Sequence, residues 1–205
     1  MVQLAQILMQ KGDEELEVRQ VSFASALKTM AAKLVTGRQS YFNLGLPLGV
    51  ADELWQLGMG LTLQDLKEKT PRGRKFLQFL GTEAMRKNVD DLYWVKRAAD
   101  KIATLPSETQ IVFIPDCRFI NEADYVRNVL GGEVWRIKRY VKTDNEWEYH
   151  RFPYDNKLTP EQKAHPSETQ LDDYQFDQVL RATDEDELFH AVEAQIRRLQ
   201  KDGKL

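Results

Sequence analysis

Cysteine is almost missing from this chain, with Cys117 alone among 205 residues. A single thiol excludes an internal disulfide and fits a reducing compartment. Histidine is nearly as scarce: three residues lie far apart, and with one cysteine they give no zinc-ligand spacing. No uninterrupted apolar run is long enough to span a bilayer. The N-terminus has no basic segment leading into an apolar one, so no secretory signal is expected. An excess of one charge is missing too: 29 Lys and Arg stand against 32 Asp and Glu, a net −3. That balance argues against broad binding along a nucleic-acid backbone, so an anion would have to be held by basic residues gathered locally. There is no internal repeat, no low-complexity segment and no Gly-x-Ser-x-Gly nucleophile elbow. Clustered carboxylates of the kind a metal-dependent nucleotide hydrolase uses are also not evident.

What is present is an ordinary globular composition, 42% hydrophobic and 30% charged. It is enough for one domain over residues 1–205 with a real core. Leu4, Ile7 and Leu8 share a helical face near the start, with no strand ahead of them. Glu17 to Phe23 reads as a short strand, and Ser22 or Ser25 as the cap of a helix that buries Leu27, Ala31 and Leu34. Thr62 and Asp65 have the spacing of a capping box. A helix is expected from about Gly73 to Lys87 with Leu77, Leu80 and Ala84 inward, and another with Leu92, Val95, Ala99 and Ile102 on one stripe. Ile111 to Asp116 is the clearest strand, and its continuous apolar run predicts burial on both faces of a parallel sheet. Asn121 is placed to cap the next helix, which Gly131 and Gly132 end. Strands follow at Glu133–Tyr140 and Gln175–Leu180. A polar flap occupies 142–164, and a final helix turns Leu188, Val192, Ile196 and Leu199 inward. Strands alternating with helices give the α/β class with a mostly parallel sheet.

Four places could carry chemistry. Asp116 ends the buried strand, at the sheet edge where α/β proteins bind ligands, and either holds Mg²⁺ or caps a helix or loop. Arg74 and Gln78 lie four apart on one helix face, with Gly81, Thr82, Glu83 and Arg86 beyond them. An Arg can clamp a phosphate and a Gln can read a base edge, while the plainer alternative is a solvated amphipathic helix. Arg136, Lys138 and Arg139 end a strand just before the flap, where they either close over phosphates or decorate an edge strand. His165-Pro166-Ser167-Glu168 reads better as a turn that pins the return of the flap than as an acid/base pair.

Arg74-Lys-Phe-Leu77-Gln78-Phe-Leu-Gly81-Thr82-Glu83-Ala-Met-Arg86, with Trp94-Val95 after it, resembles the substrate-side helix of the phage-type deoxynucleoside monophosphate kinases. Asp116-Cys-Arg118-Phe119-Ile-Asn121-Glu122 resembles that family's Asp-x-Arg-Phe-x-Asn-Glu block. His165-Pro-Ser167-Glu168 with Leu171 and Asp172 is similar to its segment after the lid, and Ser22-Phe23-Ala24 with Leu27 and Lys28 to its second strand and helix. The resemblance implies a P-loop-kinase-like parallel sheet flanked by helices, with 142–164 as a lid. It implies transfer of the ATP γ-phosphate to a deoxynucleoside monophosphate with Mg²⁺, in the cytoplasm, or the host cytoplasm if phage-encoded. It also implies that Arg74 holds the acceptor phosphate, with Gln78 near the base and Glu83 and Arg118 at the same substrate. Asp116 would serve the magnesium shell and Arg139 would be a lid arginine. A homodimer is compatible with it, and neither a membrane nor a nucleic-acid polymer is expected as partner.

The departure lies at the start. The 205 residues contain no Gly-x-x-x-x-Gly-Lys-Ser/Thr loop, whose backbone N–H groups and lysine would cradle ATP. The strand before such a loop is expected to lie centrally, beside the strand carrying Asp116, and without it a gap between strands is expected. Either the natural protein begins upstream of Met1, the reading favoured by the intact downstream motifs, or the chain is a non-catalytic nucleotide-binding or interaction protein. ATP is doubtful as a partner of these residues in both cases.

Overall fold

A computed structural model describes residues 17–142, 147–149 and 159–204. The expected helix of Leu4, Ile7 and Leu8 and most of the 142–164 flap lie outside the described residues.

The first strand, β1 (Val18–Gln20), is shorter than the sequence suggests, because the backbone turns into helix α1 (Phe23–Val35) with Ser22 at its N-cap. A short 3₁₀ turn (Tyr41–Asn43) leads to α2 (Leu48–Gly58) and α3 (Leu63–Glu68). The capping box of α3 forms as expected: the Thr62 N–H donates to the Asp65 carboxylate at 2.9 Å, and the Asp65 N–H to the Thr62 hydroxyl at 3.2 Å. Helix α4 (Pro71–Gln78) starts with proline in its first turn and runs without a break into a π-helical stretch, Phe79–Arg86. Then come α5 (Tyr93–Ile102), β2 (Ile111–Phe113), α6 (Ile120–Asn128) and β3 (Trp135–Lys142). The chain continues through β4 (Trp147–Tyr149), two single-turn helices, α7 (Pro160–Lys163) and α8 (Pro166–Thr169), β5 (Gln178–Ala182) and α9 (Glu185–Lys201).

This is an α/β fold with parallel β-pairs flanked by helices, but the strands fall into two sheets. β1 and β2 pair in parallel in one; β3 lies between β4 and β5 in the other, antiparallel to the first and parallel to the second. β3 and β4 pair with Tyr140 opposite Tyr149.

The largest core is helical. Phe76, Leu54 and Leu80 are fully buried, with Ala31, Leu34, Ala84 and Trp94 around them. Here the inward face is Phe76 and Leu80, four apart on one side of the helix, so Leu77, expected inside, lies at its margin and is only half-buried against the core. In α5 the buried stripe is Trp94, Val95 and Ala98, and Leu92 stands outside as the exposed N-cap. In α9 it is Phe189, Val192 and Ile196, with Leu188 and Leu199 half-buried. The apolar strand β2 departs from expectation most. Ile111, Val112 and Phe113 are all half-buried, and among the described residues no strand pairs with β2 on the edge away from β1. No helix of the described residues is long and apolar enough to cross a membrane.

Candidate functional site

Asp116 lies just past the carboxyl end of β2. Its carboxylate accepts hydrogen bonds from the Ser22 hydroxyl, the Phe23 N–H at 3.0 Å and the Ala24 N–H at 2.9 Å. Ser22 makes no side-chain cap of its own, so Asp116 caps α1 from across the sheet and sets a negative charge on the positive end of the helix. Of the two readings open in the sequence, the observed geometry is the cap. Among the described residues no group of three His, Cys, Asp or Glu side chains could hold a metal ion.

Two residues on, the backbone N–H of Arg118 donates to Glu122 at 2.8 Å. Its guanidinium bonds the Ser167 carbonyl at 3.3 Å and pairs with the Glu168 carboxylate. His165 caps α8: its Nδ1 accepts from the Ser167 N–H at 3.2 Å, and burial holds the imidazole pKa below its ordinary value. The His165–Glu168 turn thus docks on Arg118, while most of the flap whose return it was expected to pin lies outside the described residues.

Below this block lies a buried ion pair. Arg86 bonds the Glu122 carboxylate and, through Nη1, the Asn121 side chain at 3.1 Å and the Asp91 carbonyl at 3.0 Å; its guanidinium stacks 3.8 Å over the Phe119 ring. Burial pushes the Glu122 carboxyl up to about 7, against the pull of Arg86 and of the Arg118 and Phe119 N–H groups. Asn121 is therefore not the cap of α6. That position is Phe119, whose N–H donates to Glu122 at 3.2 Å, while Asn121 bonds Asp91 from within the helix. Arg86 and Asn121 are fixed by structural work.

Arg74 is different. It is half-buried on α4, its Nε is fully buried, and that atom has no hydrogen-bond partner among the described residues. Lys69 sits at the end of α3 in the left-handed conformation, φ 51°, with its N–H on the Asp65 carbonyl. Lys69 is an exposed residue, but partial desolvation, and then the charges of Lys28, Arg118 and Arg74, hold its pKa below the ordinary lysine value; Glu168 opposes them. The charges of Lys28 on α1, Arg74 on α4 and Arg118 in the loop after β2 thus all act on Lys69 at the α3–α4 corner, with the Glu168 carboxylate opposing them. Like charges so placed repel, and a bound anion relieves that repulsion.

The remaining expected site residues are less concentrated. Gln78 is half-buried at the last residue of α4, one turn beyond Arg74. Glu83 pairs with Lys87 at 2.7 Å and lies near enough to act on the His165 ring. Gly81 does admit a close neighbour, but the neighbour is the core: a Cβ there would meet Leu27 at 3.2 Å, and the Gly81 carbonyl accepts from the Trp94 indole at 2.8 Å. Arg139 is exposed on β3 opposite Ala182, and no described contact joins it to the cationic cluster. Arg136 is held by the Asp172 carbonyl at 2.9 Å. Sequence reasoning missed Lys69 as a site residue and gave Lys28 no role at the site. The one signal was that Lys69 precedes the Thr70-Pro71 helix start by one residue, which ties its position to that of Arg74.

A family model for deoxynucleotide monophosphate kinase matches residues 64–150, less than half of the chain. That stretch carries Lys69, Arg74, Gln78, Glu83, Asp116, Arg118 and Arg139, and it supports a distant relationship. No curated protein matches the chain.

Proposed function

We propose that this chain is the acceptor-side body of a deoxynucleoside monophosphate kinase, and that Lys28, Lys69, Arg74 and Arg118 hold the 5′-phosphate of the monophosphate. The observation that carries this reading is the buried, unpartnered Nε of Arg74 beside three other cations. A phosphate oxygen would satisfy that donor through a charge-assisted hydrogen bond, and its charge would offset the repulsion around Lys69. Gln78, one turn further on, is the residue we assign to the base edge. Arg118 is shared between the ligand and Glu168, so it also couples the site to the α8 turn. Arg139 is proposed as a lid arginine and Glu83 as a substrate-side group.

In a complete enzyme the reaction is transfer of the ATP γ-phosphate to this acceptor, and Mg²⁺ would normally bridge the phosphates. The described residues do not fit the metal: the Asp116 carboxylate is occupied by three donors of α1, and no second carboxylate joins it. No Gly-rich lysine loop is present in the 205 residues. These residues therefore account for acceptor binding, and brisk ATP-dependent turnover is not expected of them alone. The same facts favour the second reading, a nucleotide-binding protein that works without phosphoryl transfer.

Titration calorimetry with the common deoxynucleoside monophosphates tests the assignment. Replacing Arg74 with Ala removes a charge-assisted bond worth about 1.5–3 kcal/mol, so affinity should fall about tenfold or more. Unchanged affinity would remove Arg74 from the site. Binding of monophosphate without binding of ATP would favour the second reading over the first.

A further inference from the structure

The Arg118 guanidinium reaches the α8 turn through Nη1, which donates to the Ser167 carbonyl at 3.3 Å and pairs with the Glu168 carboxylate. The Glu168 side chain is 15% exposed and that of Arg118 47%, so the carboxylate is seated in the turn while the arginine keeps much of its surface in solvent. The ion pair is one of several ties that place the turn. The Ile120 N–H donates to the Gln170 side-chain oxygen at 3.1 Å, and the Glu168 N–H donates to the His165 carbonyl at 2.8 Å. Neither bond involves the Glu168 carboxylate. That carboxylate also acts on Lys69, where it opposes the charges of Lys28, Arg118 and Arg74, the cations assigned to the phosphate.

We propose that Glu168 is an internal competitor of the bound phosphate: its carboxylate stands on Arg118 before ligand arrives, and the phosphate takes hold of that guanidinium against it. The inference rests on the monophosphate site proposed above and adds to it a residue that weakens binding. A carboxylate and a phosphate present the same kind of oxygen pair to an arginine fork. Two anions on one guanidinium repel each other, so a phosphate on Arg118 either pushes the Glu168 carboxylate aside or is held less tightly beside it. A phosphate monoester carries about two negative charges above neutral pH and a carboxylate one, which decides the contest for the phosphate. Because the turn has ties that do not run through the carboxylate, Glu168 can give up Arg118 while the turn stays on the loop after β2. In the ligand-free protein the same carboxylate offsets part of the repulsion around Lys69, standing in for the anion until one binds.

The test is calorimetric titration, with the common deoxynucleoside monophosphates, of the 205-residue protein and its Glu168→Gln, Arg118→Ala and doubly substituted variants. It is run at about pH 8, where His165, whose pKa lies below its ordinary value, is neutral. Glu168→Gln keeps the size and an acceptor oxygen of the side chain and removes its charge. The expected result is binding about two- to fivefold tighter for Glu168→Gln, with the gain reduced to about half or less when Arg118 is alanine. In the unsubstituted protein the carbon-13 resonance of the Glu168 carboxyl should shift along the same binding curve. A Glu168 that only positions Arg118 would give weaker binding in Glu168→Gln. Weaker or unchanged binding would overturn the proposal. So would an equal gain with and without Arg118, or a carboxyl resonance indifferent to ligand, a readout that needs no variant to fold. If Arg74→Ala weakens binding but Glu168→Gln does not strengthen it, this inference falls and the phosphate site stands. If no monophosphate binds to the unsubstituted protein or to Glu168→Gln, both fall.

Discussion

At the residue scale, side chains of similar appearance in the sequence differ in how far the fold satisfies them. Arg86 and Arg74 share a helix and a charge, but Arg86 has its donors satisfied and Arg74 does not. Replacing Arg86 with Met leaves Glu122 buried without its partner, so denaturant unfolding should show a loss of about 3–5 kcal/mol; a loss below 1 kcal/mol would contradict the buried pair. Asp116 to Ala should cost about 1–2 kcal/mol through the lost cap of α1. His165 gives a pH effect whose sign is set by its depressed pKa. The unfolded chain binds the proton more readily, so the contribution of His165 is present above about pH 6.5 and is lost as pH falls through that value and the lower folded pKa. Protonation of Nδ1 also removes the acceptor of the Ser167 N–H. His165 to Asn keeps an N-cap acceptor and should flatten that part of the stability–pH curve; an unchanged curve would assign the slope to other groups.

At the element scale, the α3–α4 corner decides whether Lys69 and Arg74 can act together. Lys69 occupies a left-handed backbone position that costs a non-glycine residue about 1–2 kcal/mol. Gly73 packs so closely that a Cβ there would stand 2.3 Å from the Asp65 carbonyl oxygen. Lys69 to Gly should hold or raise stability, by up to about 1 kcal/mol, while monophosphate affinity falls. Loss of stability in that variant would contradict the strained backbone. Gly73 to Ala should destabilise by about 1–3 kcal/mol, since the clash is with backbone. Much of this scale was legible beforehand: the Thr62–Asp65 box, Ser22 as the start of α1, and Gly131 with Gly132 as the stop of α6 follow from short-range rules. The α4 inward face and the cap of α6 were not. The first depends on which of two adjacent apolar residues, Phe76 or Leu77, the tertiary core takes in, and the second on Glu122 being drawn inward by Arg86 from 36 residues away.

At the scale of the whole molecule, the α/β class was legible from the alternation of elements. What could not be read was the arrangement of the described strands: they form two sheets, β2 is half-buried, and Asp116 ties β2 to α1. Nor could the sequence show that the proposed phosphate site draws on four segments, because Lys28, Arg74 and Arg118 come within electrostatic reach of Lys69 only through tertiary packing. Phe76 lies at the centre of the helical core beside that site, so Phe76 to Ala should cost about 3–5 kcal/mol and weaken ligand binding along with stability.

The central claim is that the convergent cations form a monophosphate site. The most direct measurement is amide and side-chain NMR of the isotope-labelled protein during titration with a deoxynucleoside monophosphate, and then with the matching nucleoside that lacks the phosphate. The account predicts saturable shifts centred on Lys28, Lys69, Arg74 and Arg118 with the monophosphate, including slowed exchange of the Arg74 Nε proton, and none of comparable size with the nucleoside. Equal shifts from both ligands, or shifts that leave Lys69 and Arg74 untouched, would contradict it.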